Sequence, residues 1–392
     1  MRVHMDVLDT DFNVIAQFHD IGDSSSGFTH IHEDGTNHFH SPTDISGTED
    51  ILVDGNVDVD VTRLTRRTFT ANVLNPNGVW SPGSDWGGMF YVNRLIRLWR
   101  GIAYGESPGS GKELVPIGTF MIDAADVEVE RSMSIVTLSG SDLWKKFGKS
   151  AFRWAKSWAA NTPINTVISD IATQAGITDI NLDPLSSRAA ADTQIPKKFM
   201  VEQGDNRGEA LARVCNENGI DIYFDPMGRL TTQDFKAPGD TSVVYTYGPE
   251  ANNNLLTVKA SFTDENLYNS VLVIGTGAKS AIVSSRVRDT DPTSVTNVDR
   301  LGERTFIHET DLIQTQTIAD IVAKRLFYQK VLVNEDITLE TICNPAFEGN
   351  DVIRVKETEF SKLDGTFRIK AFTVPMSTSR QTIRLLREIK LT

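Results

Sequence analysis

The sequence predicts an α+β fold, mostly β: two similar β-barrel domains with an α/β domain inserted between them. Three observations predict it. Alternating apolar and polar residues fill both ends of the chain, helical periodicity gathers in the middle, and short patterns from the first β region return in the same order near the C-terminus.

The first β region is residues 1–148. Val3, Met5 and Val7 alternate with polar neighbours, and Val14, Ala16 and Phe18 do the same after a polar turn at residues 9–11. Val57, Val59 and Val61 alternate with Asp58 and Asp60. Such period-two alternation gives a strand one buried and one wet face. Asp54-Gly55 and Asn75-Pro76-Asn77-Gly78 read as turns. Residues 22–49, rich in Ser, Gly, Thr and His, read as a long loop.

Residues 149–250 read as the inserted α/β domain. Thr162-Pro163 ahead of Ile164, Val167, Ile168 and Ile171, with Gly176 beyond, predicts an amphipathic helix that starts at proline and stops at glycine. Asn206 with Glu209 three residues on is a capping box that opens a helix through Ala210, Leu211 and Val214, ending at Gly219. A hairpin follows: Ile220, Ile222 and Phe224, the turn Asp225-Pro226-Met227-Gly228, then residues 230–235. Residues 251–316 form a second β region, with strands at 256–262 and 270–274. Residues 317–392 carry one helix, at about 317–329 with Ile318, Ile321, Val322 and Leu326 on one face, and then the strands of a C-terminal barrel.

The internal repeat rests on three matches. Val73-Leu74-Asn75-Pro76 resembles Ile342-Cys343-Asn344-Pro345, and Leu95-Ile96-Arg97-Leu98 resembles Val352-Ile353-Arg354-Val355. The ten residues from Gly118-Thr119-Phe120 to Val127 share six identities with those from Gly365-Thr366-Phe367 to Val374. The same offset sets Val136 and Leu138 over Ile383 and Leu385. The spacings differ mainly in turn-rich parts, where insertions cost little.

Composition narrows the function. The chain has 392 residues, of which 40% are hydrophobic and 23% charged, the balance of a folded protein with a sizeable core. The formal net charge of -13 argues against nucleic-acid binding, whose affinity for phosphates comes mainly from Lys and Arg. Met1-Arg2-Val3-His4-Met5-Asp6 lacks the apolar run of a signal peptide, and no apolar stretch is long enough to span a bilayer. Cys215 and Cys343 each sit in an apolar periodic stretch; a disulfide between them is left open, and without a CxxC spacing a cysteine-based zinc site is ruled out.

Several motifs bear on chemistry. His30, His32, His38 and His40 form two His-x-His pairs whose alternate residues point one way on a strand, so a pair can chelate a metal; a solvated polar loop is the preferred reading, and no metal or other cofactor is expected. Gly105-Glu106-Ser107-Pro108-Gly109 fits a nucleophile elbow, but Pro108 lacks the N–H an oxyanion hole needs. Gly111-Lys112 and Gly277-Ala278-Lys279-Ser280 miss the spacing of a phosphate loop. Residues 289–300 fail as a calcium loop, with Ser294 at the glycine position and Arg300 at that of the bidentate carboxylate. Trp80, Trp86 and Trp99 suit either sugar stacking or a core. No catalytic residue is assigned, and the chain is expected not to be an enzyme.

Three stretches carry a family resemblance. One is the helix Ala210-Leu211-Ala212-Arg213-Val214 running into the hairpin from Gly219 to Leu230. The second is Asn269-Ser270-Val271-Leu272-Val273-Ile274-Gly275, and the third joins Phe347-Glu348-Gly349-Asn350-Asp351-Val352-Ile353-Arg354-Val355 to Gly365-Thr366-Phe367-Arg368-Ile369. Together with the region 118–142 they resemble the tail-hub family of long-tailed bacteriophages, over most of the chain from about residue 51. The resemblance implies a tail-hub-like fold and a homotrimeric ring in the virion tail tip, assembled in the host cytoplasm. Such a ring adapts a sixfold tail tube to a threefold tip. The implied partners are other copies of the chain, a distal tail protein, the tape-measure protein and other tail-tip proteins, with DNA passing through unbound. The competing function is a host-surface, carbohydrate-binding module of the tail tip; a cell-wall hydrolase stands third.

Overall fold

In a computed structural model, the structure describes residues 2–19, 28–31, 37–40, 52–75, 78, 80–81, 89–103, 112–130, 133–236, 242–248, 254–262, 267–276, 282–292, 294, 296–330, 335–359 and 361–387. The chain is mostly β with a smaller helical share. Its first part supplies strands β1 (Arg2–Leu8), β2 (Val14–His19), β3 (Phe28–Ile31), β4 (Asn37–His40), β5 (Leu52–Asp60), β6 (Arg67–Leu74), β7 (Leu95–Ala103), β8 (Lys112–Glu130) and β9 (Met133–Ser141). The middle holds helix α1 (Trp144–Gly148), β10 (Lys156–Trp158), α2 (Ile164–Gln174), β11 (Ile180–Asn181), β12 (Phe199–Val201), α3 (Arg207–Glu217), β13 (Ile220–Phe224) and β14 (Leu230–Asp234). The last part holds β15 (Val243–Tyr247), β16 (Leu255–Phe262), β17 (Ser270–Thr276), β18 (Ile282–Arg288), α4 (Val298–Leu301), β19 (Thr305–Thr310), α5 (Gln316–Lys330), β20 (Glu335–Ile342), β21 (Val352–Glu357), β22 (Leu363–Pro375) and β23 (Arg380–Arg387).

One 15-stranded sheet runs β16-β20-β23-β22-β5-β6-β9-β8-β7-β1-β2-β3-β4, with β21 and β15 branching from β22. Two stretches of it have the same neighbour order: β5-β6-β9-β8-β7-β1 and β16-β20-β23-β22-β21-β15. The match extends to register. Ile96 lies opposite Phe120 on β7 and β8, and Ile353 lies opposite Phe367 on β21 and β22. A bulge interrupts β8 between Ile122 and Ala124, and its counterpart interrupts β22 between Ile369 and Ala371. The recurring Gly-Thr-Phe has a packing reason: the phenyl ring folds back over the glycine two residues before it. A Cβ on Gly118 would stand 2.3 Å from Phe120 Cζ, and one on Gly365 would stand 3.5 Å from the Phe367 ring.

The register corrects two of the sequence matches. Val73 pairs with Val136 and is fully buried, whereas Ile342 pairs with Arg380 and is 43% exposed, so these two residues face opposite ways. A one-residue slip reverses every side chain of a strand. Leu138, not Val136, is the counterpart of Ile383; that slip is of two residues and keeps the face. The expected barrels also differ. Among the described residues the large sheet is an open path from β16 to β4, because β5 pairs outward with β22 instead of closing on its own unit.

The pattern of residues 22–49 predicts a loop, and the structure differs. These residues contain the β3–β4 hairpin, which adds to β2 at the end of the sheet. The predicted helices appear as α2, α3 and α5. Asn206 caps α3, its side chain accepting the Glu209 N–H at 3.1 Å, and Gly219 past the end takes φ 65°. Pro163 sits at the N-cap of α2 rather than inside it. A small sheet, β11-β14-β13, and the pair β10-β12 pack with α1, α2 and α3 over one core that includes Trp144, Phe147, Ile168, Leu211 and Phe224. β15 joins β21 in the large sheet, while β18-β17-β19 form a separate sheet beneath α5.

Candidate functional site

The two strand-order units meet along β5 and β22, where residues 56–60 run antiparallel to residues 371–375. Both units share one apolar core, in which Val57, Phe69 and Leu138 from the first join Ile369, Phe372 and Leu385 from the second. Polar contacts line the seam: Thr373 Oγ1 donates to Asp58 Oδ1 at 2.5 Å, Ser377 Oγ to Asp54 Oδ1 at 2.5 Å, and the Met376 N–H to the Gly55 carbonyl at 2.8 Å. The buried Arg100 of β7 reaches across to the Thr378 carbonyl at 2.5 Å.

A second junction brings three segments onto Asp221 of β13. Arg325 of α5 donates to Asp221 Oδ1 at 2.9 Å, and Asn350 donates to Oδ2 at 3.2 Å. Arg66 stacks 4.2 Å above the ring of Tyr223. Burial works to raise the Asp221 carboxyl, but Arg325 and Arg66 outweigh it and hold the group below the ordinary carboxylate value. Burial pushes the Arg66 guanidinium down from its usual value. Beside it, Arg67 forms an ion pair with Glu348, and its backbone N–H donates to Asp142 Oδ2 at 2.9 Å. Burial raises the Asp142 carboxyl to about 6 against these hydrogen bonds. A cleft of about 360 Å³ opens beside Asp221, lined by Arg66, Arg325, Tyr328 and Asn350. The arrangement ties the insert and α5 to both units.

The insert also docks on the first unit through the hairpin turn foreseen at residues 225–228. Arg97 donates to the Met227 carbonyl and to Thr119 Oγ1, each at 2.9 Å, and Thr119 Oγ1 donates to the Pro226 carbonyl at 2.9 Å. In the second unit the counterparts are Arg354 and Thr366; there Arg354 is exposed and pairs with Asp364 instead.

The candidate chemical residues are dispersed. His30 lies opposite His38 and Phe28 opposite His40 in the β3–β4 backbone register, whereas His32 lies outside the described residues. Among the described residues no three His, Cys, Asp or Glu side chains are grouped to hold a metal. Ser107, Lys279 and Trp86 also lie outside the described residues. In the 289–300 segment the buried Asp289 accepts from Ser294 and Thr296 Oγ atoms, each at 2.5 Å, which makes it an internal turn anchor. Trp80 is buried against Phe90, and the partly buried Trp99 donates to the buried Asp6 Oδ2 at 2.7 Å. Cys215 and Cys343 are free thiols; burial pushes Cys215 up to about 12.

One shared feature lies outside the three matched patterns, the turn that enters β7 and β21. Phe90 and Phe347 are both buried in the common core, and three residues on Asn93 and Asn350 take φ 72° and 74°. A signal existed: Phe90-Tyr91-Val92-Asn93 and Phe347-Glu348-Gly349-Asn350 precede the matched strands at equal distance.

The chain combines a large open sheet of two units of one strand order with an α/β insert docked on them. No protein-family model matches the chain, and no characterised protein matches it in sequence. Solved structures do share its fold. The tail protein from Neisseria meningitidis MC58 superposes with a TM-score of 0.62 at 13% identity, covering 99% of this chain and 97% of that one. The 43 kDa tail protein of prophage MuSo2 from Shewanella oneidensis gives 0.61 at 11% identity, covering 99% of each. Prophage tail protein gp18 from Listeria monocytogenes EGD-e gives 0.54 at 10% identity, covering 100% and 96%. At such identities the likeness is one of fold.

Proposed function

We propose that the chain is a non-enzymatic structural hub of a phage tail tip, a homotrimeric ring that adapts a sixfold tail tube to a threefold tip and lets DNA pass. One observation carries the reading: two units of the same strand order, with matching register and bulge in β8 and β22 and the same left-handed turn at Asn93 and Asn350, stand side by side in one chain. Three such chains offer six related units to one neighbour and three inserts to another. The two units are then copies of one ancestral β-domain, each a barrel that its neighbours in the ring complete. The fold shared with phage tail proteins supports this placement.

The contacts of such a ring are heterologous, so closure depends on the rotation between subunits. Obligate interfaces of this kind bury on the order of 2,000 Å² or more. The partners would be a distal tail protein, the tape-measure protein and other tail-tip proteins. The net charge of -13 suits a lumen that must release DNA. Mass photometry with electron microscopy of the full chain tests the reading. Trimeric rings are expected; a monomer that stays monomeric beside its neighbouring tail proteins and binds cell-wall glycan would replace it with the carbohydrate-binding role.

A further inference from the structure

We propose that residues 127–129 of β8 and 258–260 of β16 pair as antiparallel strands between neighbouring copies of this chain. The inference rests on the ring reading and names the surfaces that close the ring. Its template lies inside the molecule. β22 outruns β21, and its overhang is covered by β5, with Thr373 opposite Asp58, Val374 opposite Val57 and Pro375 opposite Asn56.

The same overhang exists in the first unit and has no covering strand among the described residues. β7 pairs with β8 only as far as Met121, and from Ala124 onward β8 is paired with β9 alone among the described residues. Val127 is 36% and Val129 70% exposed there, whereas Val374, the counterpart of Val127, is 1% exposed where β22 pairs with β5. An exposed strand edge bearing apolar side chains is a template for further pairing.

The matching cover also has a free edge among the described residues. Successive cross-strand partners lead from Val57 through Phe69 and Gly140 to Ile122, and in the second unit from Ala260 through Ile337 and Leu385 to Ile369. Ile122 and Ile369 flank the shared bulge, so Ala260 is the counterpart of Val57 and β16 that of β5. β16 pairs with β20 alone among the described residues. Carrying the β5–β22 register across sets Val127 opposite Ala260, Glu128 opposite Lys259, and Val129 opposite Val258. The transferred register thus meets exposed acid with exposed base and valine with valine. Each chain would use β16 on one side and β8 on the other, the head-to-tail contact from which rings are built.

Disulfide trapping tests this in the full chain. Directly opposed residues of antiparallel strands have Cα atoms about 4.5–5.5 Å apart, within disulfide reach. Glu128→Cys with Lys259→Cys is expected to yield covalent multimers up to trimer on mild oxidation, while either single variant yields none beyond wild type. Glu128→Lys is expected to weaken assembly roughly tenfold, and adding Lys259→Glu to restore it. Both sites are exposed, so the variants leave the core intact. Rings by mass photometry without cross-links would overturn the inference and leave the hub standing. Cross-linked chains that grow beyond trimer would support the pairing and overturn the threefold ring. No assembly and no cross-link would remove both.

Discussion

Asn93 and Asn350 adopt the same left-handed backbone and the same hydrogen bonds, although they stand far apart in the chain. The Asn93 N–H donates to the Ile122 carbonyl at 2.9 Å and the Asn350 N–H to the Ile369 carbonyl at 3.0 Å. In return Ile122 donates to the Arg94 carbonyl at 2.9 Å and Ile369 to the Asp351 carbonyl at 2.8 Å. Positive φ disfavours a Cβ, and Asn pays less for it than most residues. Asn93→Ala is therefore expected to destabilise the protein by about 1–2 kcal/mol, and Asn93→Gly to stay near wild type. Urea unfolding measures both. Asn350→Gly loses more, because that side chain also holds Asp221.

The two glycines under phenyl rings should differ. Gly118→Ala drives a methyl into the buried Phe120 ring and is expected to cost about 1–3 kcal/mol. Gly365→Ala meets the Phe367 ring at ordinary contact distance and is expected to cost less than about 1 kcal/mol. Thermal unfolding of the pair separates a packing clash from a general glycine requirement.

Asp221→Ala strands Arg325, and Arg66 beside it, in a buried junction. A loss of about 3–5 kcal/mol is expected. Because the folded protein holds this carboxyl below its ordinary value, its stabilising contribution is present above the unfolded value and is lost as pH falls through the folded one. Wild type should therefore lose more stability than the variant on strong acidification, as seen in denaturant midpoints measured across that range.

Asp142 works in the opposite direction. Its carboxyl rises from 3.8 to about 6 on folding, so between those values the folded state holds the proton more readily than the unfolded one. The contribution of Asp142 therefore declines as pH rises from about 4 to about 6. Asp142→Asn is expected to flatten the stability profile in that window. It loses one of the acceptor contacts to the Arg67 and Trp144 backbone N–H groups, at 2.9 and 3.0 Å, and so lowers stability at the acid end.

Local physics was legible in the residues. The alternation at Val57 and Val59, the Asn206 cap and the turn closed by Gly228 each depend on neighbours in the chain, and the structure places each where the pattern indicates. The match of residues 118–127 to 365–374 was legible for the same reason: a glycine beneath a phenyl ring and a bulge two residues after it are local demands. The junction was not. Nothing around Asp221 in the sequence announces Arg325 or Asn350, because an ion pair across more than a hundred residues leaves no spacing to read.

Amino-acid order alone settled the strands with clear alternation, the helices α2, α3 and α5, and that one strand pattern occurs twice, since side-chain periodicity and backbone preference act over a few residues; it did not show the β3–β4 hairpin or that Asp54-Gly55 lies inside β5. Tertiary structure alone decided that the two units fuse edge to edge through β5 and β22 and share a core. It also decided that Ile342 faces outward where Val73 faces in, and that β8 beyond Ala124 and β16 each have one strand neighbour among the described residues. Strand pairing is set by backbone groups that every residue carries, so the choice of partner emerges only when whole surfaces compete for burial.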